Sequence, residues 1–204
     1  MTNRIRTAVL LLLLVVAISL GGIAARAQAT PHAENTSAPE LALAYTWAHS
    51  NAPPSGCGCF SLNGGSASFA VPIKHGAWSV AGDITLTHAG NISAAGYDLD
   101  LSIFTAGIRY RPALRSSSWQ PYAQVLAGPA YSSGSFVLAQ HAVGISGSDA
   151  FAANLGGGID YRLNRRFALR LAEADYLLTT FDNGSNNHQN NFRVSCGVVL
   201  RLGR

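Results

Sequence analysis

Over most of its length the chain alternates apolar with small or polar residues at a period of two, the rhythm of a half-buried strand and not of a helix. Trp78, Val80, Gly82, Ile84 and Leu86 alternate with Ser79, Ala81, Asp83, Thr85 and Thr87. Phe192, Val194, Cys196, Val198 and Leu200 alternate with Arg193, Ser195, Gly197, Val199 and Arg201. The pattern predicts eight strands, at about 40–49, 64–73, 78–87, 98–111, 119–131, 149–162, 167–177 and 192–203. Globular strands average about five or six residues, whereas a tilted strand needs roughly nine to eleven to cross a bilayer; these segments have the second length.

The predicted connections alternate too. Those at 50–63, 88–97, 132–148 and 178–191 are long, and those at 74–77, 112–118 and 163–166 are mostly short. An up-and-down barrel with one looped rim and one tight rim has this spacing. The four long loops contain no Lys or Arg, while Lys74, Arg111, Arg115, Arg162, Arg165, Arg166, Arg201 and Arg204 lie in or beside the short turns and the C-terminus.

Composition decides which face meets which solvent. Only 12% of residues are charged, about half the share of an ordinary soluble domain. A lipocalin-like barrel in water needs a charged outer face, and these strands have none to give. Val, Leu, Ile and Phe are therefore expected outside in lipid, with Gly, Ala, Ser, Thr and Asn filling a narrow interior. Trp47, Trp78, Tyr110, Trp119, Tyr131, Tyr161, Phe167, Tyr176 and Phe192 fall near strand ends, where interfacial girdles form. Two strands break the alternation. A bulge near Ala172 would bring Arg170, Glu173 and Asp175 to one face, and a second near Ser102 would reconcile Leu99 and Leu101 with Phe104, Ala106, Ile108 and Tyr110.

Residues 1–29 read as an export signal: two arginines, an uncharged apolar run from Ala8 to Ala25, and Ala27-Gln28-Ala29 as a cleavage site. Removing them takes away Arg4, Arg6 and Arg26 and no acid, leaving eleven basic against ten acidic side chains. The basic character of the whole sequence is largely that of the leader, which argues against a nucleic-acid partner. Residues 30–39 are then a short N-terminal segment and 40–204 the barrel.

Cys59-Phe60-Ser61-Leu62-Asn63-Gly64-Gly65, Ala106-Gly107-Ile108-Arg109-Tyr110, Gly156-Gly157-Gly158-Ile159-Asp160-Tyr161-Arg162-Leu163, Ala168-Leu169-Arg170-Leu171, Glu173-Ala174-Asp175-Tyr176 and Asn191-Phe192-Arg193 resemble small bacterial outer-membrane barrels of the outer-membrane protein A and X type. The resemblance covers nearly all of the chain after residue 29. It implies an all-β, eight-stranded, antiparallel up-and-down transmembrane barrel in the bacterial outer membrane, with both termini in the periplasm and the long loops outside. Such barrels commonly end in Phe or Trp as an assembly signal; this chain ends Leu202-Gly203-Arg204.

The inward charges Asp83, Arg109, Asp160, Arg162, Arg170, Glu173, Asp175 and Arg193 carry both signs and are expected to pair across the lumen as a structural plug. A narrow channel or small-ligand-binding barrel is the alternative. Cys57 and Cys59 sit two apart in the first long loop, where a strained disulfide and two free thiols are both open; Cys196 is expected to face lipid unpaired. His49, His88, His141 and His188 fall at the looped rim without close metal-ligand spacing, so no metal or other cofactor is expected. A rim enzyme built on His88 with Ser93, or His141 with Ser146, lacks a visible acid to orient the imidazole. The expectation is a monomeric, non-enzymatic barrel with outer-membrane lipids as its surroundings and a surface ligand or adhesion partner at its loops.

Overall fold

The structure, a computed structural model, describes residues 38–50, 59–73, 77–92, 96–112, 118–135, 147–182 and 187–202. The expected leader at 1–29, the segment to residue 37, Cys57, Ser93, His141, Ser146 and the last two residues lie outside these. Eight strands follow in order: β1 (Glu40–Ser50), β2 (Phe60–Pro72), β3 (Trp78–Ile92), β4 (Tyr97–Tyr110), β5 (Trp119–Ser133), β6 (Gly147–Arg162), β7 (Phe167–Thr179) and β8 (Gln189–Arg201). Each pairs antiparallel with the next, and β8 closes on β1. Closure leaves no sheet edge, so every strand's backbone groups can be satisfied within the wall.

Several strands run further toward the looped rim than the alternation indicated. β2 begins at Phe60, β3 reaches Ile92 and β8 begins at Gln189. The expected ten-residue loop at 88–97 is therefore shorter, since β3 and β4 still pair at Ile92 and Tyr97, with a register shift between Ala89 and Ile92 and a positive φ at Asn91. Gly and Asn had made this stretch read as loop; Gly90 and Asn91 lie at the irregularity, and the pairing resumes beyond them at Ile92.

Among the described residues, twenty-four large apolar or aromatic side chains are exposed, among them Val80, Ile84, Leu86, Val125, Phe151, Leu155 and Val198. They come from all eight strands and form a belt around the wall. Water-soluble monomers rarely expose contiguous apolar patches of more than a few hundred Å², so this belt needs lipid. Aromatic pairs sit at its margin by the short turns: Trp78 with Tyr110 at 4.8 Å and Trp119 with Tyr161 at 5.2 Å between ring centroids.

The bulge expected in β7 is present. Ile159 pairs with Ala172 and Asp160 with Arg170, so Leu171 has no partner on β6, and the β7–β8 register shifts between Arg170 and Glu173. Leu171 and Ala172 are both exposed, with Arg170 and Glu173 buried on either side. The bulge expected near Ser102 is absent. Leu99 to Tyr110 pair with β3 without interruption, and Leu99, Leu101 and Ile103 are buried. These three keep the inward parity of Thr105 and Arg109, so the correction concerns the interior: its looped end is apolar.

Candidate functional site

Among the described residues, ionisable side chains gather out of solvent in the interior. Asp83, Arg109, Asp160, Arg170, Glu173, Asp175 and Arg193 are each no more than 3% exposed. Arg162, expected with them, is half-buried at the last residue of β6, beside the exposed turn arginines.

Arg193, on β8, is the hub. Its Nη1 lies 2.8 Å from Asp83 Oδ1, and its Nη2 lies 2.7 Å from Asp175 Oδ2 and 3.2 Å from Glu173 Oε1. Asp83 belongs to β3, which does not border β8, so this pair spans the lumen. Arg170 Nη1 meets Glu173 Oε2 at 2.7 Å and its Nε meets Asp160 Oδ1 at 3.1 Å. Residues three apart on a regular strand face opposite ways; the β7 bulge is what turns Arg170 and Glu173 to the same side.

The chain of charges continues to the short-turn end through residues not singled out in the sequence. Asp160 Oδ2 accepts from Arg111 Nη2 at 2.8 Å, Arg111 Nη1 reaches Glu40 Oε1 at 2.8 Å, and Arg201 Nε approaches the same oxygen at 3.2 Å. Arg109 donates to Gln124 Oε1 from Nη2 at 2.8 Å and from Nε at 3.1 Å. Tyr122 stands among three guanidinium groups, with Arg109, Arg170 and Arg111 at 4.5, 4.9 and 5.5 Å from its ring centroid, and donates its hydroxyl proton to Glu173. Five carboxylates, those of Glu40, Asp83, Asp160, Glu173 and Asp175, thus share the interior and its mouth with five guanidiniums, those of Arg109, Arg111, Arg170, Arg193 and Arg201. The cluster is formally neutral, which removes most of the cost of burying any one charge.

Glycines make room for it. A Cβ on Gly156 would lie 2.1 Å from Asp175 Oδ1, and one on Gly158 would lie 2.6 Å from the Ala172 carbonyl oxygen and 2.7 Å from the Tyr122 hydroxyl. The glycine run is thus a packing device, as expected for glycines that line a narrow barrel.

Toward the looped rim the buried charges end, although Ser50, Thr179 and Asn191 remain buried and hydrogen-bonded to one another there. Leu62, Ile92, Leu99, Leu101, Ile103 and Leu177 pack together with Ala48, Ala89, Ala130 and Ala152, and Phe60, Tyr97 and Phe181 close over them. Interior side chains are therefore not all small or polar, as the sequence had suggested; an apolar cluster lies across the looped part of the lumen.

At the looped rim His88 Nδ1 lies 2.8 Å from Asp100 Oδ1, both more than half exposed. This corrects the expectation that no acid orients that imidazole: the extended β3–β4 hairpin puts the two directly opposite. Ser93 is outside the described residues. His49 Nδ1 is 3.3 Å from Ser61 Oγ. Cys59 and Cys196 are exposed free thiols. Among the described residues no three His, Cys, Asp or Glu side chains are grouped to hold a metal ion.

The model of the outer membrane protein beta-barrel domain matches residues 15–199, nearly the whole chain. The chain belongs to that family. Its place is the bacterial outer membrane, and the closed eight-stranded wall is the family's spanning element. No curated protein sequence matches it significantly. Among solved structures, Neisserial surface protein A is similar, at 17% identity with a TM-score of 0.60, the match covering 80% of this chain and 97% of that one. The attachment invasion locus protein of Yersinia pestis, solved with the heparin analogue sucrose octasulfate, matches at 17% identity and a TM-score of 0.50, over 81% of this chain and 99% of its own. At such identities the likeness is one of fold.

Proposed function

We propose that this family member is a closed, monomeric outer-membrane barrel that acts through its outer surface, as a structural or contact protein and not as a pore or an enzyme. Residues 1–29 deliver it across the inner membrane, 30–39 remain as a short periplasmic segment, and the lumen charges Asp83, Arg109, Asp160, Arg170, Glu173, Asp175 and Arg193 serve to stiffen the wall. The observation that carries this reading is the double closure of the interior: a neutral ion-pair cluster toward the short-turn end and an apolar stopper toward the looped end. Eight-stranded barrels have interiors that side chains fill, and an apolar constriction excludes water and ions by dewetting.

The chemistry of the outer rim narrows the partner. Its loops hold no Lys or Arg, and Asp98, Asp100, Asp149 and Asp182 lie at or near its strand ends. The Yersinia protein was solved with a sulfated, strongly anionic ligand; the charge here favours an uncharged or cationic partner instead. Replacing the 134–146 and 180–188 connections with Gly-Ser linkers of equal length tests this. Loss of cell adherence to a protein or host-matrix surface, with the barrel still inserted, is the expected result, and adherence unchanged by both replacements contradicts it. The His88–Asp100 pair favours a rim lipid-modifying activity as a second reading. Outer-membrane lipid profiles with and without the gene decide that: an unchanged profile removes it.

A further inference from the structure

The two rims of this barrel differ in charge, and the short-turn rim carries an ordered basic turn at the edge of the apolar belt. Among the described residues that rim holds five arginines, Arg111, Arg162, Arg165, Arg166 and Arg201, against two acids, Glu40 and Asp160. Both acids are already engaged: Asp160 with Arg170 and Arg111, and Glu40 with Arg111 and Arg201. Five arginines against two acids leave those described residues with a formal excess of three positive charges.

We propose that the β6–β7 turn, through Arg165 and Arg166, is a docking surface for anionic phospholipid headgroups, here phosphatidylglycerol. The inference goes beyond a surface role of the outer loops, and it rests on the barrel spanning a membrane. Three observations support it. The turn is fixed in shape: Asn164 Oδ1 accepts the N–H groups of Arg166 and Phe167, each at 2.8 Å, and the Arg166 carbonyl accepts from the Arg201 N–H at 2.7 Å. Two exposed guanidiniums therefore stand on a backbone that pays no ordering cost on binding. The turn also lies at headgroup depth, because exposed Leu163 and Phe167 flank the arginines and the Trp119–Tyr161 ring pair sits next to them. Long basic side chains in that position lay their stems on the apolar belt and extend the charged end to the phosphate layer. Finally, the opposite rim has acids and no Lys or Arg in its connections, so the attraction is confined to one leaflet. Guanidinium presents paired donors that match a phosphate.

The test uses the three tryptophans as depth markers. Variant W47F/W78F keeps only Trp119 at the short-turn rim, and W78F/W119F keeps only Trp47 in the other half. Each full-length protein is reconstituted in phosphatidylcholine vesicles containing brominated phosphatidylglycerol or, at the same fraction, brominated phosphatidylcholine. The expected result is stronger quenching of Trp119 by the glycerol lipid, with a relative association of about fivefold for each arginine engaged. Trp47 is expected to show no such preference. The preference at Trp119 disappears in R165Q/R166Q and at about 1 M salt, where the Debye length falls to roughly 3 Å. Equal quenching of Trp119 by the two lipids, a preference that survives R165Q/R166Q or high salt, or an equal preference at Trp47 overturns the proposal. If R165Q/R166Q does not insert, the salt series on W47F/W78F decides alone. Heat-dependent gel mobility is measured in parallel, and its absence in the parent protein contradicts the membrane-spanning barrel itself, a separate failure.

Discussion

Arg193 touches three carboxylates, and its removal leaves Asp83, Glu173 and Asp175 without their shared cation. Breaking a buried pair from one side costs about 3–5 kcal/mol, because the stranded partner keeps its desolvation cost. Arg193→Met is therefore expected to lower the stability of the detergent-refolded barrel by that amount in urea titration followed by tryptophan fluorescence. Adding Asp83→Asn to it recovers part of the loss. A change below about 1 kcal/mol for the single variant contradicts the hub role. Gly158→Ala is smaller in chemistry but not harmless: its Cβ would press on the Ala172 carbonyl at 2.6 Å. Overpacking of this kind costs about 1–3 kcal/mol, which the same titration reads. The residue scale also shows why pairing partners escaped the sequence. Glu40 and Arg111 are 71 positions apart, and only closure of β8 on β1 brings the ends of the wall together. Tyr122 carried an inward parity beside Gln124 and Leu126, and that parity was the available signal for it.

Among the elements, β7 and β4 posed the same puzzle with opposite answers. In β7 the parity of Phe167, Leu169 and Leu171 changes before Glu173 and Asp175, and a bulge at Leu171–Ala172 absorbs the change. Charge made that legible, since carboxylates cannot stand in the lipid-facing row. In β4 the parity of Leu99 and Leu101 opposes that of Phe104 and Ile108, yet the strand is regular. Leucine suits lipid and an apolar stopper equally, so alternation alone could not say that the interior changes character along its length. The strand order, the eightfold count and most inward charges were legible because each depends on period two and on the high cost of charge in lipid. Deleting Ala172 removes the extra residue, so that Arg170 and Glu173 stand two apart on a regular strand and both still face the lumen. The expected outcome is a barrel that keeps its heat-dependent gel mobility; loss of that mobility in the deletion variant contradicts the reading of one residue here as extra. On the outer face, Leu155→Arg is expected to cost about 2–4 kcal/mol near the bilayer centre, measured by the same denaturation.

At the scale of the whole molecule, the wall faces lipid outside, the interior is neutral and polar toward the short turns, and the looped end is stoppered by Leu62, Leu99, Leu101, Ile103 and Leu177. In the closed barrel proposed above, the stopper more than the ion pairs would bar a water column, because ion pairs can exchange partners with water whereas an apolar segment gives water none. Leu101→Asn with Ile103→Asn is accordingly expected to raise small-ion leakage from vesicles, while Arg193→Met alone is not. The barrel is proposed to span the membrane with its lumen closed. Single-channel recording of the purified, refolded parent protein in a planar bilayer tests it most directly. A quiet baseline from protein that shows the heat-dependent gel shift is the predicted result, and reproducible conductance steps from that same preparation contradict the claim.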